Sequence, residues 1–211
     1  MSADARLREQ VARLLAGPQP LPIVQVGDPV LRAVAEPFDG QLEPAQLSRL
    51  IVAMRDTMHA APGVGLAAPQ IGLGLAIAVV EDAWAVDDEV ARRRERTPVP
   101  FRVLVNPRYE PVGAERVGFY EGCLSVRGWQ AVRARWRTVR LLATDEKGRA
   151  VDEVLHGWPA RIVQHETDHL SGRLYVDHAE MRSLVSPEGV QPWTADAAPD
   201  RAAEELGFEL P

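Results

Sequence analysis

The segment "HETDH", residues 165–169, is the part of the chain best equipped to do chemistry. His165 and His169 are four residues apart, so on a helix both imidazoles lie on one face, one turn apart. Two neutral imidazoles so placed can hold a divalent cation, and Glu166 can reach a water beside it. A catalytic site of this kind needs a third protein ligand and an open position. Asp177, His178, Glu180 and Glu188 are downstream candidates, and His59, Cys123 and His156 are upstream ones. Residue types alone do not choose among them. Cys123 is the only cysteine in the chain, and a thiolate beside a cation is deprotonated and tightly held. A lone cysteine can instead be a nucleophile paired with a histidine, but that use leaves the spacing of His165 and His169 without a purpose.

A second group with chemical potential is "GVGLAAPQ", residues 63–70. Its glycines match the loose form of a dinucleotide fingerprint, but the context is wrong. That fingerprint follows a strand and opens a helix, whereas this one follows a predicted helix, is cut by Pro69 and leads into a predicted strand. The other physical use of Gly63 and Gly65 is close approach, because a backbone without Cβ can pass near a ligand. The amide of Gln70 can donate to a developing oxyanion.

The elements that must position these groups follow from periodicity. Residues 4–16 predict an amphipathic helix with Leu7, Val11, Leu14 and Leu15 on one side, stopped by Gly17 and Pro18. A second helix fits 44–60, with Pro44 in its first turn and Leu47, Leu50, Ile51, Met54 and Met58 at helical spacing. "LAIAVVED" predicts a buried strand and "FRVLVNP" another that ends at Pro107. Residues 84–100, with "RRRER" and two prolines, predict a long solvated connection. "AVRARWRTVRLLATDEKG" alternates apolar and charged residues as strands with one wet face do, and "RAVDEVLHG" returns as the next strand. The helix carrying the histidines is expected to start near Pro159 and stop at Ser171-Gly172. Strands bracketed by helices favour an α+β class over a doubly wound sheet. The expected organisation is an N-terminal helical extension over 1–20, a metallohydrolase domain over 21–185, and a tail over 186–211. The tail, with Pro187, Pro192, Pro199 and Pro211, is expected to be loosely ordered apart from a short helix at 200–206.

Bulk properties bound the setting. A chain of 211 residues buries a real core without staples, and one cysteine excludes an internal disulfide. The formal net charge of −6 disfavours non-specific nucleic-acid binding. No run approaches the roughly 18 apolar residues of a membrane span. The N-terminal segment mixes both signs of charge, unlike a secretory or transit sequence. These features predict a soluble cytoplasmic protein with no membrane contact and no specific nucleic-acid site.

Three segments in order, "GVGLAAPQ" at 63–70, "EGCLS" at 121–125 and "QHETDHLSG" at 164–172, closely resemble the signature motifs of the peptide deformylases. The resemblance spans most of residues 20–180. It implies an α+β fold with small antiparallel sheets packed around the C-terminal metal-binding helix. It implies one divalent metal held by Cys123, His165 and His169, with the fourth position open to water. That metal is typically Fe(II), often replaced by zinc, nickel or cobalt in purified samples. The implied reaction removes the formyl group from the N-terminal formylmethionine of new polypeptides and releases formate. The implied partners are N-formylmethionyl peptides or nascent chains, with transient ribosome contact. Glu166 would be the general base, and Gln70 with the Leu124 backbone N–H would stabilise the oxyanion. The peptide backbone would lie along Gly63, Val64 and Gly65 opposite Gly122. Phe119, Trp158 and Ile162 are candidates for the methionine pocket, and Glu121 and Asp168 for groups that orient the ligands. Many members have proline after the second motif where this chain has Arg127, and the following "RGWQAVRARW" is basic enough to change how peptide is held. An ordinary H-E-x-x-H metalloprotease would draw its third ligand from downstream instead. A non-catalytic binding protein on the same scaffold would have lost the base or the amide, yet Glu166 and Gln70 are both present.

Overall fold

The computed structural model describes residues 2–189, 193 and 196–211. Among the described residues, eight strands form two antiparallel sheets. The larger orders β1 (Gly65–Ala67), β2 (Ile77–Asp82), β3 (Val99–Pro111), β6 (Thr138–Thr144) and β7 (Ala150–His156) as β1-β2-β3-β6-β7. The smaller orders β4 (Arg116–Cys123), β5 (Val126–Trp136) and β8 (Ala179–Val185) as β4-β5-β8. Helix α4 (Gly157–Leu170) touches strands of both sheets. The α+β expectation, with small antiparallel sheets around a helix that bears the histidines, therefore holds.

Each element follows from its sequence. In α2 (Pro44–Ala60) Leu47, Leu50, Ile51, Met54 and Met58 are buried, as their helical spacing requires. Helix α1 (Ala3–Ala16) is capped by Ser2, whose hydroxyl accepts from the Ala5 N–H at 3.2 Å. It lies on α2 and buries Val11 completely. Strand β2 is apolar on both faces from Ile77 to Val80 because the sheet is covered on both sides there.

Three elements differ from the sequence reading. Strand β3 does not end at Pro107. Asn106 takes a left-handed φ of 50°, the register with β6 shifts between Val105 and Arg108, and pairing resumes to Pro111. A bulge is where a strand accepts proline. The 84–100 connection contains a short helix, α3 (Asp88–Arg93), whose N-cap Asp87 accepts from the Glu89 N–H at 2.8 Å. The tail has its expected short helix as α5 (Asp200–Leu206), but its described part is packed rather than loose. Helix α5 buries Ala202, and Leu206, Phe208 and Leu210 join Tyr120, Val132 and Val185 in a cluster on the smaller sheet. Pro192 lies outside the described residues.

Candidate active site

Helix α4 begins at Gly157, two residues before the expected start. Gly157 has φ of +61°, and a Cβ there would sit 2.5 Å from the Cβ of Glu95, so glycine alone fits this entry. From there the helix carries Trp158, Ile162 and His165 along one side and brings His169 one turn further. The two imidazole centroids are 5.0 Å apart. The β4–β5 hairpin supplies the third donor. Its register shifts between Gly122 and Cys123, and Cys123 pairs with Val126 across the Leu124-Ser125 turn. Such a bulge re-aims a side chain. One donor atom from each of Cys123, His165 and His169 lies within 4.8 Å of the others, and the Cys123 Sγ is 3.3 Å from the His169 Nε2. The remaining ligand candidates, His59, His156, Asp177, His178, Glu180 and Glu188, do not join this cluster.

Partners behind the cluster fix how its members point. The Glu121 Oε2 lies 3.0 Å from the His165 Nδ1. A buried carboxylate held as an anion can only accept, so Nδ1 carries the proton and Nε2 is left for the cluster. Arg135 donates from Nε and Nη2 to the Glu121 oxygens at 2.6 and 2.9 Å, and from Nη1 to Asp168 at 2.9 Å. Arg161 also donates to Glu121. Burial alone would raise the Glu121 pKa, but Arg135, His165 and Arg161 overcome it and hold the carboxyl well below its ordinary range. Asp168 does not touch a histidine; it anchors Arg135 and accepts from the Tyr109 hydroxyl at 3.0 Å.

The donor set suits a divalent cation. Burial opposes charge on His165, yet hydrogen bonds with Cys123 and Glu121 raise its pKa to about 10, so a cation at Nε2 must displace a proton there. Burial, reinforced by His165, pushes His169 well down and keeps it in the neutral form that ligates. The Nδ1 of His169 and the Oε2 of Glu166 are both buried without a partner among the described residues. One thiolate and two imidazoles can hold Fe, Zn, Ni or Co.

The groups meant to act on a substrate surround the same point. Glu166 is 4 % exposed, and burial raises its pKa to about 7. Its carboxylate is seated where a Gly65 side chain would be, since a Cβ on Gly65 would lie 2.1 Å from Oε1. The Gln70 Oε1 accepts from the Ala67 N–H at 2.8 Å, which turns Nε2 toward Cys123 Sγ and Ser125 Oγ at 3.5 and 3.4 Å. The Leu124 N–H has no acceptor among the described residues, while its carbonyl accepts from Gln25 at 3.0 Å.

A cleft of about 660 Å³ opens over these groups. Gly63, Val64, Gly65 and Gly122 line it, as do Trp158 and Ile162. Phe119 does not. It is buried behind the wall, with the Arg161 and Arg94 guanidinium carbons 5.1 and 5.7 Å from its ring centroid. Arg127 also stays off the cleft wall. Its N–H, which proline would lack, donates to the Gln25 Oε1 at 3.3 Å. Of the basic segment after it, Trp129 and Gln130 reach the cleft, but Arg135 is buried in the ion network and cannot hold peptide.

The profile described as polypeptide deformylase matches residues 20–184. The chain belongs to that family. Peptide deformylase 1 of Streptomyces coelicolor is 64% identical over 205 residues, covering 97% of this chain and 94% of its own length. The mitochondrial peptide deformylase of Homo sapiens is 38% identical over 182 residues, covering 82% and 75%. The crystal structure of a peptide deformylase from Synechococcus elongatus in complex with actinonin matches with a TM-score of 0.66 at 31% identity, over 92% of this chain and 89% of that one. As a peptide deformylase, the enzyme is a metal-dependent hydrolase that removes the N-formyl group from the N-terminal formylmethionine of newly made polypeptides, releasing formate. No described helix is long and apolar enough to cross a membrane.

Sequence reasoning missed several contributors to this deformylase cleft, four arginines among them. Arg135 and Arg161 sit behind Glu121, and Arg94 and Arg96 reach the wall from the 84–100 connection. The available signal was Glu121 itself, because a buried acid needs buried cations.

Proposed function

We propose that Cys123, His165 and His169 hold the metal, that Glu166 is the general base, and that Gln70 and Leu124 stabilise the oxyanion. The observation that carries this reading is the seat of Glu166, whose buried carboxylate lines the same cleft as Cys123 and His165, with one oxygen unpartnered among the described residues. A divalent ion held by the three donors supplies positive charge that acidifies water and polarises the formyl carbonyl. Glu166 takes one proton from the attacking water, and the remaining oxygen bonds to the formyl carbon. Negative charge then collects on the former carbonyl oxygen, where the Leu124 N–H and the Gln70 Nε2 donate to it. Glu166 returns its proton to the departing nitrogen, the C–N bond breaks, and formate and a free amino terminus leave. A carboxyl whose pKa burial has raised to about 7 can both take and give that proton near neutrality.

The peptide backbone runs along Gly63, Val64 and Gly65 opposite Gly122, and the methionine side chain enters beside Ile162 and Trp158. The metal is Fe(II) in the cell, with zinc, nickel or cobalt as substitutes, a choice supported by the soft mixed donor set and the family resemblance. The unit over 21–185 carries the chemistry, braced by the helix before it and the tail after it. A cytoplasmic setting and transient ribosome contact are supported by the substrate being a nascent chain.

The test is an anaerobic assay of formate release from a formyl-Met peptide by the Fe(II) form, beside Glu166→Ala and Cys123→Ser. Glu166→Ala should keep one metal per chain and lose activity by 10²–10⁴, as loss of a general base does. Cys123→Ser should lose the metal. If Glu166→Ala also lost it, Glu166 would be a ligand and the assignment of the base would fall.

A further inference from the structure

Three arginines line the Trp158 end of the cleft, and they are not equally neutralised. Arg96 makes two 2.8 Å hydrogen bonds to Asp82, which also accepts from the Trp158 Nε1 at 2.8 Å. Arg161 is paired with Glu121. Arg94 has no such partner. Its Nε donates to the Ala197 carbonyl at 3.2 Å, and among the described residues no carboxylate reaches its guanidinium. The chain has 30 acidic residues, yet among the described residues none is set against this cation. The guanidinium carbon lies 5.7 Å from the Phe119 ring centroid and 5.9 Å from that of Trp158. Those aromatic faces hold the side chain in place without neutralising it. Burial, and then the nearby Arg96, lower its pKa, the direction expected for a guanidinium short of anionic partners.

We propose that Arg94 is a specificity-determining residue that binds a carboxylate carried by the formylated peptide within its first three residues. The proposal rests on the cleft being the peptide seat described above. Its reach fits that chemistry. Trp158 precedes His165 by seven residues, or roughly 10 Å along the helix axis. An extended peptide advances roughly 3.3–3.6 Å per residue. A carboxylate on the second or third residue, or at the end of a formylated dipeptide, therefore spans the distance from the reacting carbon to Arg94. A planar guanidinium whose Nη donors meet no acceptor among the described residues is suited to gripping a carboxylate with two bonds. The support is rigid as well. The Ala197 carbonyl and the Arg93–Asp200 ion pair at 3.1 Å tie the end of α3 to the tail.

The test compares kcat/KM of the metal-loaded enzyme on amidated formyl-Met-Ala-Ala, formyl-Met-Asp-Ala and formyl-Met-Ala-Asp, and on formyl-Met-Ala with a free or amidated end. At least one carboxylate-bearing peptide should exceed its neutral counterpart by about tenfold, the scale of a charge-assisted hydrogen bond. The side-chain and free-end pairs distinguish which source Arg94 recognises. Arg94→Gln should bring that ratio to about one, and Arg94→Lys should keep part of it. The wild-type ratio should also fall as salt is raised. A wild-type ratio of one or less, or a ratio that Arg94→Gln leaves unchanged, overturns the proposal. Absence of formate from the neutral peptide would instead overturn the reading of the cleft itself.

Discussion

Gly65→Ala probes the fit between the glycine strand and the proposed base. A Cβ at residue 65 would lie 2.1 Å from the Oε1, 2.5 Å from the Cδ and 2.7 Å from the Cγ of Glu166, where ordinary contact starts at 3.4 Å. The overlap involves Cγ as well as the carboxylate, so the whole side chain must move, by about 1 Å or more. Neither backbone can easily retreat. Gly65 is paired with Val80, and α4 is packed on β1 by a buried face that includes Ile162 and Val163. The φ of Gly65 lies outside the left-handed range, so alanine meets no backbone strain there. Misplacing a catalytic group by that distance costs about 10²-fold, and overpacking costs about 1–3 kcal/mol of stability. The expected variant is folded, binds one metal per chain, and has kcat lower by about 10²-fold with a smaller change in KM. Combining it with Glu166→Ala isolates the cause. Once the carboxylate is gone, the added methyl should cost little more. A Gly65→Ala enzyme with wild-type kcat would refute the seat of Glu166. A full 10²-fold loss in the Glu166→Ala background would move the defect to the peptide backbone.

Glu121→Gln should weaken metal binding by about 10–100-fold in a competition titration, because His165 loses the carboxylate that fixes its tautomer. The same change leaves Arg161 without a carboxylate and Arg135 with one fewer, so stability in urea should fall by about 3–5 kcal/mol; wild-type values for both would remove Glu121 from its orienting role. On the far side of the larger sheet, the hydrogen bonds from Arg55, then that from His59, lower the Glu81 pKa against opposing burial. Its folded pKa lies below its unfolded value, so the stability it adds is present above about pH 4.5 and is lost as pH falls through the folded pKa. Glu81→Gln should therefore cost under about 1 kcal/mol at pH 7, with the difference from wild type vanishing in acid; a difference that grew on acidification would contradict the ion pair. Ending the chain after Val185 should uncover Tyr120 and Val132, lower the melting temperature and increase binding of an apolar dye. The lost burial of Ala202, Leu206, Phe208 and Leu210 is worth roughly 3–5 kcal/mol, and an unchanged melting temperature would show that the tail does not brace the sheet.

Spacing along the chain made one half of the site legible and left the other half dark for a physical reason. His165 and His169 are local partners on one helix, so the distance between them is fixed by helix geometry before any tertiary contact forms. Cys123 lies 46 residues before His169, and only the family resemblance singled it out in advance. The helices over 3–16 and 44–60 were legible because their apolar periodicity is their reason for folding. Helix α3 was not, since six residues cannot overcome the cost of nucleation alone, and Arg94 and Arg96 beyond it reach partners far away in sequence.

The errors at the cleft wall share one cause. Alternation assigns charged residues of a strand to water, and along β5 that reading placed Arg135 outside when it is 2 % exposed. On β4, residues 118–121 are buried without alternation, so the face taken by Phe119 could not be read. Arg161, about five-sixths of a turn from Trp158 by sequence, takes the position between Phe119 and the cleft. Burying Arg135 and Arg161 is costly, and an apolar wall would be easier to build. What the buried cations accomplish is to keep Glu121 ionised, and an ionised Glu121 holds the proton of His165 on Nδ1, away from the cluster. The charges hardest to foresee are therefore those on which the orientation of a foreseeable ligand candidate depends.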